Sequence, residues 1–420
     1  MNLSEQNTRK KYLDLFAVLW IILSSNSLVF CIFNMKLSMA ILGGIAVIYL
    51  LTQNGIKKIN IGVFVIIFAI LVLNLNLNIK YTTLSEDLII IAIKCFSMAV
   101  IMSGINKDDF IDKYVCILIV LSIISIICFA WISLFPGVRL PFQSEIVHKN
   151  KRYFYTFYYT LGRWQIWDRN SGIFWEPGGY QIFLNFALLF LFTHSSLFFK
   201  KWTVKKYVIY TSILIGAVLT TLSTTAYICL ALVLMIGILN RNGNKNTKRI
   251  MMGMVILAAI AFIVVESNTN VIESKAINQE GSFMTRYNDT IISLEVGSHR
   301  PFGYGYGNSH SQDLLTRAGV VDNSSGLGSM VASFGFVITI PYLFFIAYRM
   351  KKMLSLKKVE IILVMIIFML FIMTENVYPT TLFIAFLFFW KDEKTSQKNK
   401  PAFDSKKMKE AESKLTELKN

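Results

Sequence analysis

Arg169, Trp175 and Glu176 stand in one stretch, RNSGIFWEPGGY (169–180), together with three glycines. A guanidinium stays charged and grips phosphate oxygens in a bidentate way, so Arg169 and the nearby Arg163 suit a phosphorylated or otherwise anionic headgroup. They suit equally a pairing with Asp168 and Glu176, or with ordinary lipid phosphates. Glu176 precedes Pro177 and Gly178 at the mouth of an apolar run, where partial burial would raise its pKa and make it a better base. Aromatic residues crowd the same region, among them Tyr153, Tyr155, Trp164, Trp167 and Trp175. Rings with a polar edge anchor at a headgroup layer or stack on the apolar faces of sugars, and composition does not separate the two.

A second stretch, TRYNDTIISLEVGSHRPFGYGYGNSHSQDLL (285–315), holds further groups of this kind. Arg286 begins a short amphipathic run, His299 and Arg300 precede Pro301, and Gly303, Gly305 and Gly307 make a flexible loop able to bring backbone donors close to a ligand. The glycines follow no hydrophobic strand and lead to no GK[ST], which excludes a nucleotide-binding loop. The chain has only four histidines, and His299 and His310 read as hydrogen-bond donors, as a base or as structural residues. No HExxH or paired Cys/His spacing points to a metal, and no cofactor is expected.

The elements that must position these groups are apolar. Of 420 residues, 55% are hydrophobic and 16% charged, and the mean hydropathy is +0.54, a balance foreign to soluble domains, which carry about a quarter charged residues. Five cysteines all lie within apolar runs and read as small core residues. Apolar runs near the ~20 residues needed for a span occur at about 13–33, 36–52, 59–78, 85–104, 114–135, 179–199, 206–222, 225–240, 250–266, 330–348, 358–374 and 378–391. The first is too long for a signal-peptide core and lacks a small-residue cleavage site. Arg9, Lys10 and Lys11 put the amino terminus inside; with alternating spans, the clusters at Lys57/Lys58, Lys107/Lys113, Lys200/Lys201, Arg241/Lys245/Lys248/Arg249 and Arg349/Lys351/Lys352 all fall on that same side.

The expected fold is therefore an all-α polytopic membrane protein of about twelve transmembrane helices, both termini cytoplasmic, with outer loops at about 136–178 and 267–329. The membrane domain spans 1–391, and 392–420 is a charged cytoplasmic tail. The net charge of +17 follows from topology and from an anionic leaflet rather than from nucleic acid. Three polar features inside or beside the runs read as bystanders or as structural. KDDFIDK (107–113) mimics a metal motif on the inner side, Lys94 must face the bundle interior or a headgroup cavity, and Glu375 in TENVYP reads as interfacial.

RNSGIFWEPGGYQIFLNFAL resembles the first signature of bacterial Wzy-type polysaccharide polymerases, a family related to the O-antigen ligases, and HRPFGYGYGN resembles the second. Arg286 and Gly297 also fit an R-x10-G pattern seen in some polymerases. Ligases commonly carry Ser-Arg between the seventh and eighth spans and His-Asn before the next one. Here those places read TLSTTAY (221–227) and DNSSGLG (322–328), which favours a polymerase over a ligase. The resemblance implies a GT-C-like fold in the bacterial plasma membrane and a metal-independent glycosyltransferase. Its substrate would be an undecaprenyl-pyrophosphate-linked glycan, polymerised into O-antigen, capsular or exopolysaccharide, with a flippase and a chain-length regulator as partners. Within it, Glu176 is the first candidate for the base and His299 the second; Arg163, Arg169, Arg286, Arg300, Trp175, Gly303, Gly305 and His310 would hold substrate and pyrophosphate. A transporter or flippase is the competing class, and it would spread charge along several spans.

Overall fold

The computed structural model describes residues 3–52, 61–78, 86–135, 137–148, 151–163, 169–241, 246, 248–254, 282–320, 323, 325–354 and 356–389. The tail at 392–420, Trp164, Trp167, Asp168, Asp322 and most of the ninth apolar run lie outside them. The protein is mostly helical. The described helices are α1 (Leu3–Leu23), α2 (Met35–Thr52), α3 (Ile61–Leu77), α4 (Glu86–Gly104), α5 (Lys107–Leu134), α6 (Pro177–Thr193), α7 (Ser195–Phe199), α8 (Val204–Thr220), α9 (Thr224–Asn240), α10 (Ser282–Ser298), α11 (Ser309–Arg317), α12 (Gly326–Leu354), α13 (Lys358–Thr374) and α14 (Thr381–Phe388). Four of them, α2, α4, α5 and α12, are long and apolar enough to cross a membrane, while α6, α9 and most of α3 are apolar but shorter. Among the described residues the apolar runs outside 250–266 are largely helical, the last of them over Thr381–Phe388.

The first run departs from a single span. Helix α1 stops at Leu23 and a π-helical segment resumes at Leu28–Phe33. Between them Asn26 takes a left-handed φ of 67°, the Ser25 hydroxyl bonds back to the Ile21 carbonyl at 2.6 Å, and the Ser27 hydroxyl bonds to that of Leu23. Serine and asparagine side chains that compete for backbone groups break a helix even inside an apolar run. The break frees residues 26–28 to pair with another segment, as described below.

Segment 136–178 contains a three-stranded antiparallel sheet, β1 (Ser144–His148), β2 (Lys151–Tyr155) and β3 (Thr160–Arg163). KDDFIDK is the first turn of α5 rather than a loop. Asp108 and Asp109 sit at the helix amino terminus, where the macrodipole favours anions, while Lys201 pairs with Asp112 at 2.7 Å.

At the centre lies α6, buried on every side from Gly178 to Leu191, as befits a helix that is apolar all round. Its Phe186 ring packs within 5.1–6.3 Å of Phe368, Phe371, Phe383 and Phe386 from α13 and α14. The residues that begin this core helix are the RNSGIFWEPGGY stretch.

Helix α12 is broken at Gly335, whose φ is +70° and ψ 174°. The carbonyls of Ala332 and Ser333 accept from the Tyr304 and Gly305 amides at 2.9 and 3.0 Å, and Val337 donates to the Pro301 carbonyl at 3.1 Å. A transmembrane helix tolerates such a break only where another segment satisfies the released backbone groups. Residues 301–305 do so, and the contact is backbone on backbone. A Cβ on Gly303 would overlap Ser333 and Gly335, and one on Gly335 would overlap the Pro301 carbonyl. Gly335→Ala should therefore destabilise by about 1–3 kcal/mol from overlap and left-handed strain, read as a lower Tm in detergent. Gly44→Ala, whose Cβ meets open space, should leave Tm level or slightly raised.

Candidate functional site

The stretch that begins α6 is held extended. Leu28 donates to the Ile173 carbonyl at 3.1 Å and Trp175 to the Asn26 carbonyl at 3.2 Å, so residues 173–175 run antiparallel to 26–28, with Ser27 opposite Phe174. Asn170 fixes the approach, giving its side-chain amide to Ser125 and Thr220 at 3.2 and 2.9 Å and accepting from the Gly172 amide at 2.9 Å. Gly172 takes φ +54° with the Tyr180 ring where a Cβ would stand. The buried Phe174 stacks on Phe183 at 4.3 Å. With those side chains locked into the core, the next two line an open cavity of about 740 Å³: Trp175 and Glu176.

Within that cavity the Trp175 indole donates to the Glu176 carboxylate at 3.1 Å, and the buried Tyr153 ring of β2 lies 4.3 Å from it at 36°. Opposite, Arg286 in the first turns of α10 pairs with Glu375 at 3.1 Å. Glu375 follows α13 and presses against the start of α6, where a Cβ on Gly178 would overlap its carboxylate. A Cβ on Gly326 would overlap its backbone. The absence of two methyl groups thus lets four helix ends converge on the Arg286–Glu375 contact.

Burial, and next the Glu176 charge, push the Glu375 carboxyl up to about 8, against the pull of Arg286 and Arg169. Arg169 keeps part of its side chain in solvent, yet its Nε donates to the Thr221 carbonyl at 3.1 Å, and the protein around its guanidinium, then Arg286, lower its pKa. TLSTTAY has no arginine of its own, and Arg169 reaches that junction from the first loop. Two guanidinia and two carboxylates therefore share one field beside the cavity.

The structure brings Trp175, Glu176, Arg286 and Gly305 into the cavity wall and leaves other expected residues elsewhere. Arg300 donates to the Asn78 side chain at 3.3 Å and lies 4.9 Å over the Tyr304 ring. The His310 amide donates to Asn308 at 2.8 Å in the cap of α11, with the ring 6.0 Å from Tyr304. His299 is exposed just past the end of α10 and outside the cavity lining. The Gly303 amide bonds to the Arg300 carbonyl within its own turn and the Gly305 amide to Ser333 at the α12 break, so both donors are engaged by backbone instead of being offered to a ligand. Arg163 pairs through its backbone with Tyr153, and its side chain lies outside the described residues.

The sequence reading missed Glu375, set aside as interfacial. Lys94, expected to face the bundle or a headgroup cavity, lines this cavity with its ammonium 3.0 Å from the Pro379 carbonyl. Among the described residues no three His, Cys, Asp or Glu side chains stand together as metal ligands.

Comparison with known proteins gives one match, over part of the chain. Residues 209–326 match the family model of O-antigen ligase, Wzy_C. The match runs from α8 to the first residue of α12 and includes Arg286, while Arg169, Trp175 and Glu176 lie outside it, the last two reaching the same cavity in space. Neither a curated protein nor a solved structure matches the chain. A Wzy_C segment in a mostly helical chain with membrane-length apolar helices indicates a multi-pass membrane enzyme that processes lipid-linked glycans.

The raised Glu375 pKa has a thermodynamic consequence. The folded state holds a proton that an unfolded glutamate releases near ~4.3, so its contribution to stability is full below that pH and is lost as pH rises toward about 8. Glu375→Gln should show a smaller loss of stability between pH 5 and pH 8 than the wild type, measured by thermal unfolding in detergent. An unchanged slope would mean that Glu375 is ionised throughout that range.

Proposed function

We propose that the protein polymerises undecaprenyl-pyrophosphate-linked oligosaccharide repeat units on the outer side of the bacterial plasma membrane, building an O-antigen, capsular or exopolysaccharide. The observation that carries this reading is the meeting of Trp175 and Glu176 with Arg286 in one cavity of about 740 Å³, beside Arg169. The elements lining it support the topology. The carboxyl end of α1, the amino ends of α2 and α4 and the carboxyl end of α13 all contribute, and these are the ends that the lysine and arginine pattern assigns to the outside.

In the proposed reaction a sugar hydroxyl of the acceptor repeat attacks the anomeric carbon of the donor glycan. The bond from that carbon to the pyrophosphate oxygen breaks, and the hydroxyl proton passes to a carboxylate. Glu176 is assigned that role, since it lines the cavity and the Trp175 indole orients it. His299, exposed outside the lining, is not. Charge developing on the pyrophosphate is met by Arg286 and Arg169, which do the work a metal does in many nucleotide-sugar enzymes. Glu375 holds Arg286 in place until an anionic substrate competes for it. Trp175 offers a face to a sugar ring.

Purified protein reconstituted with a lipid-linked repeat unit should lengthen the glycan. Arg286→Ala and Arg169→Ala should each lower the rate about 10²–10³-fold, and Glu176→Gln by about 10²–10⁴-fold, with normal expression. Full-length polymer from both arginine variants would sink their assignment. Movement of the lipid across the bilayer with no change in glycan length would replace the enzyme by a transporter. The family description favours one second reading, ligation of a finished glycan to a different acceptor. Extension of one lipid-linked repeat by another, with no other acceptor present, separates polymerase from ligase.

A further inference from the structure

We propose that the groove between α2, α3 and α4 holds the polyprenyl chain of the lipid-linked glycan while its pyrophosphate occupies the polar cavity, an inference that rests on the function proposed above. The groove has a volume of about 830 Å³ and an almost wholly apolar lining. Its charged lining residues are Lys36 and Glu86, an exposed pair 3.0 Å apart at one end. From there it follows α2 to Val47 and α4 to Ser97. Eleven residues of helix at ~1.5 Å each make a trough about 16 Å long, half the ~30 Å hydrocarbon thickness.

The groove and the polar cavity meet. Ile90 borders both, and at the charged end the cavity is lined by Met35 and Asp87, the sequence neighbours of Lys36 and Glu86. Helix α4 is the partition. It turns Asp87 and Lys94 toward the cavity and Ile89, Ile93 and Phe96 toward the groove. Such a pair of adjoining compartments fits one ligand with an anionic head and a long single apolar tail. A crevice that only packed bilayer lipid would need no shared border with a cavity holding Arg286 and Lys94. Gly43 lines the groove, and a Cβ there meets no atom within 4 Å, so a large side chain at that position enters the groove rather than the protein core.

The test uses the full chain in lipid nanodiscs and a polyprenyl diphosphate carrying a photoreactive group on its chain. In the wild type the label should land on α2, α3 and α4, and unlabelled long-chain polyprenyl diphosphate should compete at least about tenfold better than a short-chain one. Gly43→Phe should cut labelling at least about tenfold. Equal competition by long and short chains, displacement by a two-chain phospholipid as effective as by the polyprenyl diphosphate, or labelling unchanged in a folded Gly43→Phe would each overturn the proposal. The wild-type competition needs no variant and stands if Gly43→Phe fails to fold. Chain-length-dependent binding without glycan transfer would keep the groove and remove the polymerase reading. Transfer indifferent to chain length would do the reverse.

Discussion

The Arg286–Glu375 pair is the constraint on which the arrangement turns. A contact of this kind withdrawn from water costs desolvation, which here favours the protonated Glu375 carboxyl, and in isolation it adds little stability. Here it joins the first turns of α10, the end of α13 and the start of α6, three elements far apart in sequence. The approach is possible only because Gly178 and Gly326 carry no side chain where Glu375 packs. Removing Glu375 would leave the partly buried Arg286 guanidinium without this partner, close to the charge of Arg169. The pair thus specifies geometry more than it stabilises the fold, and it keeps a guanidinium at the cavity wall that an anionic ligand can draw away.

A second constraint acts through the backbone. The break in α12 releases the carbonyls of Ala332 and Ser333 from the helix's own hydrogen bonds, and the PFGYG turn supplies the amides. This couples the segment after α10 to α12, and so fixes the end of α10 opposite Arg286. Asn74 of α3 joins the same knot, donating to the Phe302 and Ser333 carbonyls and accepting from the Tyr306 amide. Loop and helix form one rigid wall of the cavity.

Much of this was legible in the sequence. The apolar runs marked the helices, since hydropathy at membrane length admits few other structures, and the adjacent Trp175 and Glu176 marked one wall of the cavity. Other features were not. A serine-rich interruption at 24–27 sits within an apolar run and changes mean hydropathy little, yet its hydroxyls end the helix. The glycines at 303 and 305 carry the same signal whether a ligand or another backbone approaches, and here it is backbone. Glu375 looked like any polar residue between two apolar runs, because its significance lies in Gly178, Gly326 and Arg286 meeting it in space. Single-residue chemistry shows in a sequence, whereas convergence of helix ends does not.

The layout also bears on why the chemistry would sit where it does. A cavity at the ends of helices is bounded by core on one side and by the headgroup layer on the other, so a substrate with an isoprenoid tail, a pyrophosphate and a glycan meets three different environments in order. The apolar groove borders the cavity at Ile90 of α4, and the cavity wall holds Arg286 together with the aromatic pair of Tyr153 and Trp175. Apart from the Lys36–Glu86 pair at the end of the groove, the charged lining residues belong to the cavity, where a leaving pyrophosphate would require them. A lipid transporter would have to carry that charge along a path through the helices. Buried charges such as Asp14, Lys113, Arg349 and Glu360 do occur, but Asp14, Lys113, Arg349 and Glu360 all stand toward the helix ends read as inner, away from the cavity. The distribution fits an enzyme that holds its substrate at one face of the membrane and lets the glycan, rather than the lipid, move on.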